Sequence, residues 1–156
     1  MTGGSRERLL RRWAQLDAAL IGFMTSHGVR FLRFALAVVF IWFGALKVAG
    51  RSPVADLVAQ TVYWVPPRFF VPFLGVWEVV VGMGLLLGVA LRLVLFLFWL
   101  QMAGTFLVLI LRPGVAFQDN NPLLLTTMGE FVIKNLVLIA AGLVIGSTVQ
   151  RKPEAR

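Results

Sequence analysis

Glu130 and Lys134 stand four residues apart in an otherwise apolar stretch, GEFVIKNLVLIAAGLVIG at 129–146. Charge in hydrocarbon costs roughly 2.5–3.5 kcal/mol per group on insertion scales, so intramembrane ionisable residues mark a functional site by default. Three more polar residues share such surroundings: Lys47 in FGALKV, Glu78 in GVWEVVVG and Gln101 in FWLQMAG. Two carboxylates, two ammoniums and an amide allow a limited chemistry. Lys or Gln can donate to a carbonyl, and Glu can deliver a proton. With Trp77 as an aromatic wall, that set suits a quinone headgroup. No individual residue is assigned as catalytic, and whether the chain is an enzyme stays open.

Other chemistries are excluded by composition. The chain has no cysteine, which removes disulfides, thiol redox chemistry, zinc–thiolate sites and iron–sulfur ligation. A lone His27 cannot supply paired axial ligands to a haem. No metal site is expected; Asp119, Asn120 and Asn121 read as a turn. The net charge of +8 would suggest nucleic acid in a soluble protein. Here the arginines crowd segment ends, where they set topology and meet anionic headgroups, so no nucleic-acid partner is expected.

The elements that must position these residues are membrane helices. A chain of 156 residues that is 59% hydrophobic and 14% charged cannot hide its apolar surface from water. Four stretches reach the roughly 20 residues a crossing needs: 31–48, 69–90, 91–111 and 126–146. Before them, Leu9, Trp13, Leu16, Leu20 and Phe23 form a helical stripe, with Arg8, Arg11 and Arg12 outside it. The run is too short to span, which predicts an in-plane interfacial helix over 1–28 and a turn at Gly28. Ser52 and Pro53 are expected to open a short helix that Pro66 and Pro67 stop. The spacing thus predicts an all-α membrane protein: interfacial helix 1–28, four-helix transmembrane domain 29–148 and basic tail 149–156. Arginine and lysine counts place both termini in the cytoplasm.

Depth follows at about 1.5 Å per residue. With both helices running in from the outer side, Glu130 lies about 6 Å, Lys134 about 12 Å and Glu78 about 13 Å below the start of their spans. Lys47 closes the outer end of the first span, and Gln101 is near the middle of the third. Helical spacing agrees. Gly44 and Lys47 share a face, as do Gly75, Glu78 and Gly82. Gln101, Gly104 and Thr105 share another, and Thr127, Glu130, Lys134 and Ala141 a fourth; Asn135 adjoins them. The formal charges of Lys47, Lys134, Glu78 and Glu130 cancel, and a neutral buried cluster is far cheaper than separate ions. Glu130 is expected to pair with Lys134, and Glu78 to bridge to Lys134 or Lys47.

The first span, RFALAVVFIWFGALKV, resembles the opening motif of the DoxX superfamily. SPVADLV, GVWEVVVGMGLLLG, TFLVLILRPGV and the fourth span are similar, in that order, to the RclC/YkgB-like branch; the resemblance covers about 33–147. It implies a four-helix protein of the bacterial inner membrane. DoxX names the membrane subunit of a thiosulfate:quinone oxidoreductase, and other relatives are linked to oxidative or reactive-chlorine stress. The implied polar residues are Lys47, Glu78, Glu130 and Lys134. Two positions depart: Asn135 stands where relatives often carry Asp, and Glu130 where they are often basic.

Two functions are carried forward. One is a quinone-interacting subunit of a membrane redox complex in oxidative-stress defence, with a redox partner protein. The other is a structural membrane protein whose buried charges organise the bundle without catalysis. A proton or solute carrier needs a polar path that the inner half lacks. Gly84 and Gly88 form a small-xxx-small pair suited to an intramolecular crossing or to a homodimer seam.

Overall fold

The computed structural model describes residues 3–149, so the expected tail lies outside the described residues from 150 onward. Among the described residues, regular structure is helical apart from one isolated bridge, Phe117 to Leu125. Four helical stretches are long and apolar enough to cross a bilayer: Leu9–Val48, Pro67–Leu87, Leu91–Leu111 and Thr127–Ser147. Helices suit that solvent because each satisfies its own backbone polar groups.

Helix α1 spans Gly3–Val48. The turn expected at Gly28 is therefore absent. One glycine costs a helix only about 1 kcal/mol relative to alanine, and helix-compatible residues flank it on both sides. By contacts the chain divides into two units, Met1–Leu32 and Arg33–Arg156. In the first unit Leu9, Trp13, Leu16, Leu20 and Phe23 are exposed, and so are Arg11 and Arg12. His27 stacks on Phe23, with centroids 4.8 Å apart, and its Nδ1 lies 2.7 Å from Ser26 Oγ.

The second unit is a helical bundle closed by small residues. Gly44 on α1 lies against Gly75 on α3 (Pro67–Leu87), and Gly82 lies against Ala37 and Ile41, which sets an antiparallel register. A Cβ on Gly75 would stand 2.7 Å from Gly44 O and 2.9 Å from Val48 N, so the two backbones touch. Gly88, with φ 70°, and Ala90, with φ 48°, then turn the chain into α4 (Leu91–Leu111). Gly84 packs on Val94 of α4, making that glycine pair part of an intramolecular crossing. Phe98 fits over Gly142 of α7 (Asn135–Ser147) and tilts against Phe40, 5.3 Å away.

The connection after α1 folds back over the bundle. Helix α1 stops at Val48, Gly50 turns at φ 66°, and α2 forms over Ala55–Thr61. It starts two residues later than Pro53 at its first position would require, because Ser52 O accepts from Ala55 N in a preceding turn. Leu57 of α2 is buried with Val108 of α4 and Val132 of α6 (Thr127–Ile133). Arg112 Nε donates to Gln60 O at 2.9 Å, tying α2 to the end of α4. The chain then makes α5 (Pro113–Ala116) and a 3-10 turn over Gln118–Asn120. Asn121 Oδ1 accepts from Leu123 N, consistent with the expected turn.

The fourth crossing is two helices rather than one, joined at Lys134, where Val137 N bonds back only three residues to Lys134 O. Thr126 caps α6 by accepting from Gly129 N.

Candidate functional site

Lys47, Glu78 and Gln101 meet. Lys47 Nζ donates to Glu78 Oε1 at 2.7 Å and to Oε2 at 2.6 Å. Gln101 Nε2 donates to Oε1 at 2.5 Å. Lys47 is 5% exposed and Glu78 6%, so this ion pair is enclosed. Glu78 and Gln101 both stand near the middle of 21-residue helices, far from either helix end. The Gly44–Gly75 contact explains how Lys47 reaches that depth. It brings the last turn of α1 against the wall of α3 within one turn of Glu78, and a Cβ on Gly75 would stand 2.8 Å from Lys47 Cβ.

One polar atom of the triad is left over. Gln101 Oε1 is buried without a hydrogen-bond partner. An amide that aims its NH2 at a carboxylate must aim its carbonyl elsewhere. A buried unpaired acceptor costs roughly 1–3 kcal/mol, which is a feature needing a cause.

These three residues line a cavity of about 490 Å³ whose wall is otherwise mainly apolar, from α1 to α4, α6 and α7. Phe40, Phe43, Phe70, Phe73 and Trp77 contribute aromatic wall, with Lys47, Glu78 and Gln101 among its polar groups. Trp77 is fixed by a bond from Nε1 to Leu97 O at 3.3 Å. Leu57, Val58 and Thr61 of α2 also line it. Asn135 lines the cavity too, its Nδ2 donating to Phe131 O at 3.2 Å.

The expected four-charge cluster is not formed. Lys134 Nζ lies 3.2 Å from Glu130 Oε2, but their side chains are 74% and 55% exposed, and no hydrogen bond joins them to Glu78. The inward face of this crossing is instead Gly129, Val132, Ala141, Gly142 and Ile145. Gly129 must face in because Ala116 O sits directly over it, and one residue on is about 100° around the helix, which turns Glu130 out. Thr127 is exposed as well, and the capping role belongs to Thr126. Gly44, Gly75 and Gly82 are buried in helix contact and are not among the residues that line the cavity. The pairing of Glu78 resolves to Lys47.

Glu78→Gln and Lys134→Met should add within about 0.3–0.5 kcal/mol, since they share no partner. Unfolding of the two single variants and the double variant measures this; a clear deviation from additivity would restore the four-charge cluster.

Of the aromatic wall only Trp77 is legible in the sequence as a site residue; the phenylalanines and α2 are not. The signal for α2 is a weak apolar stripe, Val54, Leu57, Val58 and Thr61, within a connection.

The DoxX family model matches residues 28–111. The chain belongs to the DoxX family. The matched region runs from within α1 to the end of α4, and so takes in Lys47, Glu78 and Gln101 but stops short of Glu130 and Lys134. No curated protein and no solved structure matches the chain. Family and helices together make this a multi-pass integral membrane protein in contact with the lipid bilayer.

Proposed function

We propose that this DoxX-like protein is a quinone-binding subunit of a membrane redox complex serving oxidative-stress defence. The observation that carries it is the aromatic cavity lined by a buried Lys47–Glu78 pair and the half-buried Gln101 that bonds it. Lys47 has three N–H donors and Gln101 two, so each keeps capacity beyond its bonds to Glu78, and Gln101 Oε1 is an unused acceptor. Those residues fit a flat, neutral headgroup with oxygens at its rim. When bound, a quinone supplies reversible two-electron, two-proton chemistry. The chain would hold the ring, exclude water and keep a carboxylate and an ammonium beside it.

The proposal extends to context. The protein belongs to the bacterial inner membrane with both termini cytoplasmic, within the RclC/YkgB-like branch. Its amino-terminal arginines meet anionic headgroups, and a redox partner protein supplies electrons; a homodimer is compatible with this arrangement. Haem, iron–sulfur and zinc have no place in it.

A second reading is favoured by one observation. Both oxygens of Glu78 are already taken by Lys47, as in a pair that only fixes helix register. On that reading the protein is a scaffold. Thermal-shift titration of the purified protein with ubiquinone and menaquinone analogues separates the two. At a hundredfold excess over Kd, mass action adds about 2.7 kcal/mol of stability, a readily measured rise in Tm. Glu78→Gln should abolish the rise. No rise with either quinone in the unmodified protein would leave the scaffold.

A further inference from the structure

Gly104 is the one cavity-lining position on α4 where the wall is missing a side chain, and it is exposed. A Cβ added there would meet no atom within 4 Å. Every other glycine of α3 and α4 that faces inward is crowded: Gly75, Gly82 and Gly84 would each place a Cβ under 3.0 Å from a neighbour. Gly104 is therefore not required for helix contact. It costs the helix stability relative to alanine and gives open space in return.

That space lies one helical turn from Gln101, three residues back on the same face. It is a position on a spanning helix, with exposed Leu100 and Leu107 beside it, so what lies outside is hydrocarbon rather than water. The other end of the cavity is covered by α2, held by Arg112.

Resting on the quinone reading, we infer that the cavity is filled sideways from the bilayer through the gap at Gly104, by a neutral lipid-soluble molecule whose head carries a hydroxyl for Gln101 Oε1. The carboxylate of Glu78 disfavours an anionic head, and its saturation by Lys47 leaves no free counter-charge for a cationic one. A phosphate headgroup is anchored at the water interface and does not descend to mid-helix. The unpaired amide carbonyl asks for a donor, which selects the hydroquinone form over an ether of the same shape.

The test uses the full-length protein in lipid nanodiscs and three probes with the same ring and tail: a decyl hydroquinone, its quinone and its dimethyl ether. Binding is read by quenching of tryptophan fluorescence. The hydroquinone should bind at least tenfold tighter than the dimethyl ether, and Gln101→Met should remove that preference while leaving the ether's binding in place. Gly104→Trp should keep the thermal midpoint and slow association of all three probes at least tenfold; Gly104→Leu serves if the larger residue fails to fold. Equal affinity of hydroquinone and ether, or unchanged association in the folded Gly104 variant, overturns this inference and leaves the quinone reading standing. Failure of all three probes to bind the unmodified protein overturns both.

Discussion

Lys47→Met should be among the most damaging single substitutions in the chain, costing about 3–5 kcal/mol. The reason is what it leaves behind. Glu78 is enclosed at mid-helix, and with Lys47 gone only Gln101 faces its carboxylate. The intact pair is not a large net source of stability, because desolvation offsets most of the attraction. Breaking it is costly because one uncompensated charge stays buried. The double variant Lys47→Met with Glu78→Gln removes both charges and should melt much closer to the unmodified protein than Lys47→Met does. A coupling of roughly 2–3 kcal/mol in that cycle is expected, at the upper end for contacting residues. Reversible unfolding in detergent micelles measures it. Additive losses would mean that the two side chains do not touch.

Gly75→Ala should be comparably harmful, although alanine is by itself the better helix former by up to about 1 kcal/mol. The added carbon would fall 2.7 Å from Gly44 O and 2.9 Å from Val48 N. Backbone atoms cannot rotate out of the way, so α1 and α3 must separate, and overpacking of this kind costs typically 1–3 kcal/mol or more. Separation also stretches the bond from Lys47 to Glu78, so the loss should exceed the steric cost alone. Gly104→Ala is the control, with the same chemical change in open space. It should be neutral or slightly stabilising. Equal losses at Gly75 and Gly104 would contradict the close crossing of α1 and α3. In a bilayer, where apolar burial does not drive helices together, such crossings are a main source of cohesion.

The residues of the triad were readable because each stands alone in an apolar run and shares a helix face with small residues. Gly44 with Lys47, and Gly75 with Glu78 and Gly82, announce both the charge and the neighbour that approaches it. Lys134 shows where that logic fails. Its polarity predicts an inward face, whereas helix phase is decided by fit. Gly129 must lie beneath Ala116 O and Gly142 beneath Phe98, and the joint at Lys134 shifts the phase between them. Polar residues took what was left. Gly28 failed for the opposite reason: glycine permits a turn without requiring one. The roof was invisible because α2 has seven residues, too few for periodicity to separate helix from loop.

The bond from Arg112 to Gln60 O gives that roof an owner. Helix α2 is followed in sequence by α3, yet its last turn is fastened to the far end of α4, fifty-two positions away. Roof and Gln101 are thus both joined to α4. Through α4, the ceiling over the aromatic chamber is therefore linked to the amide that bonds Glu78, and so to the ion pair shared by α1 and α3.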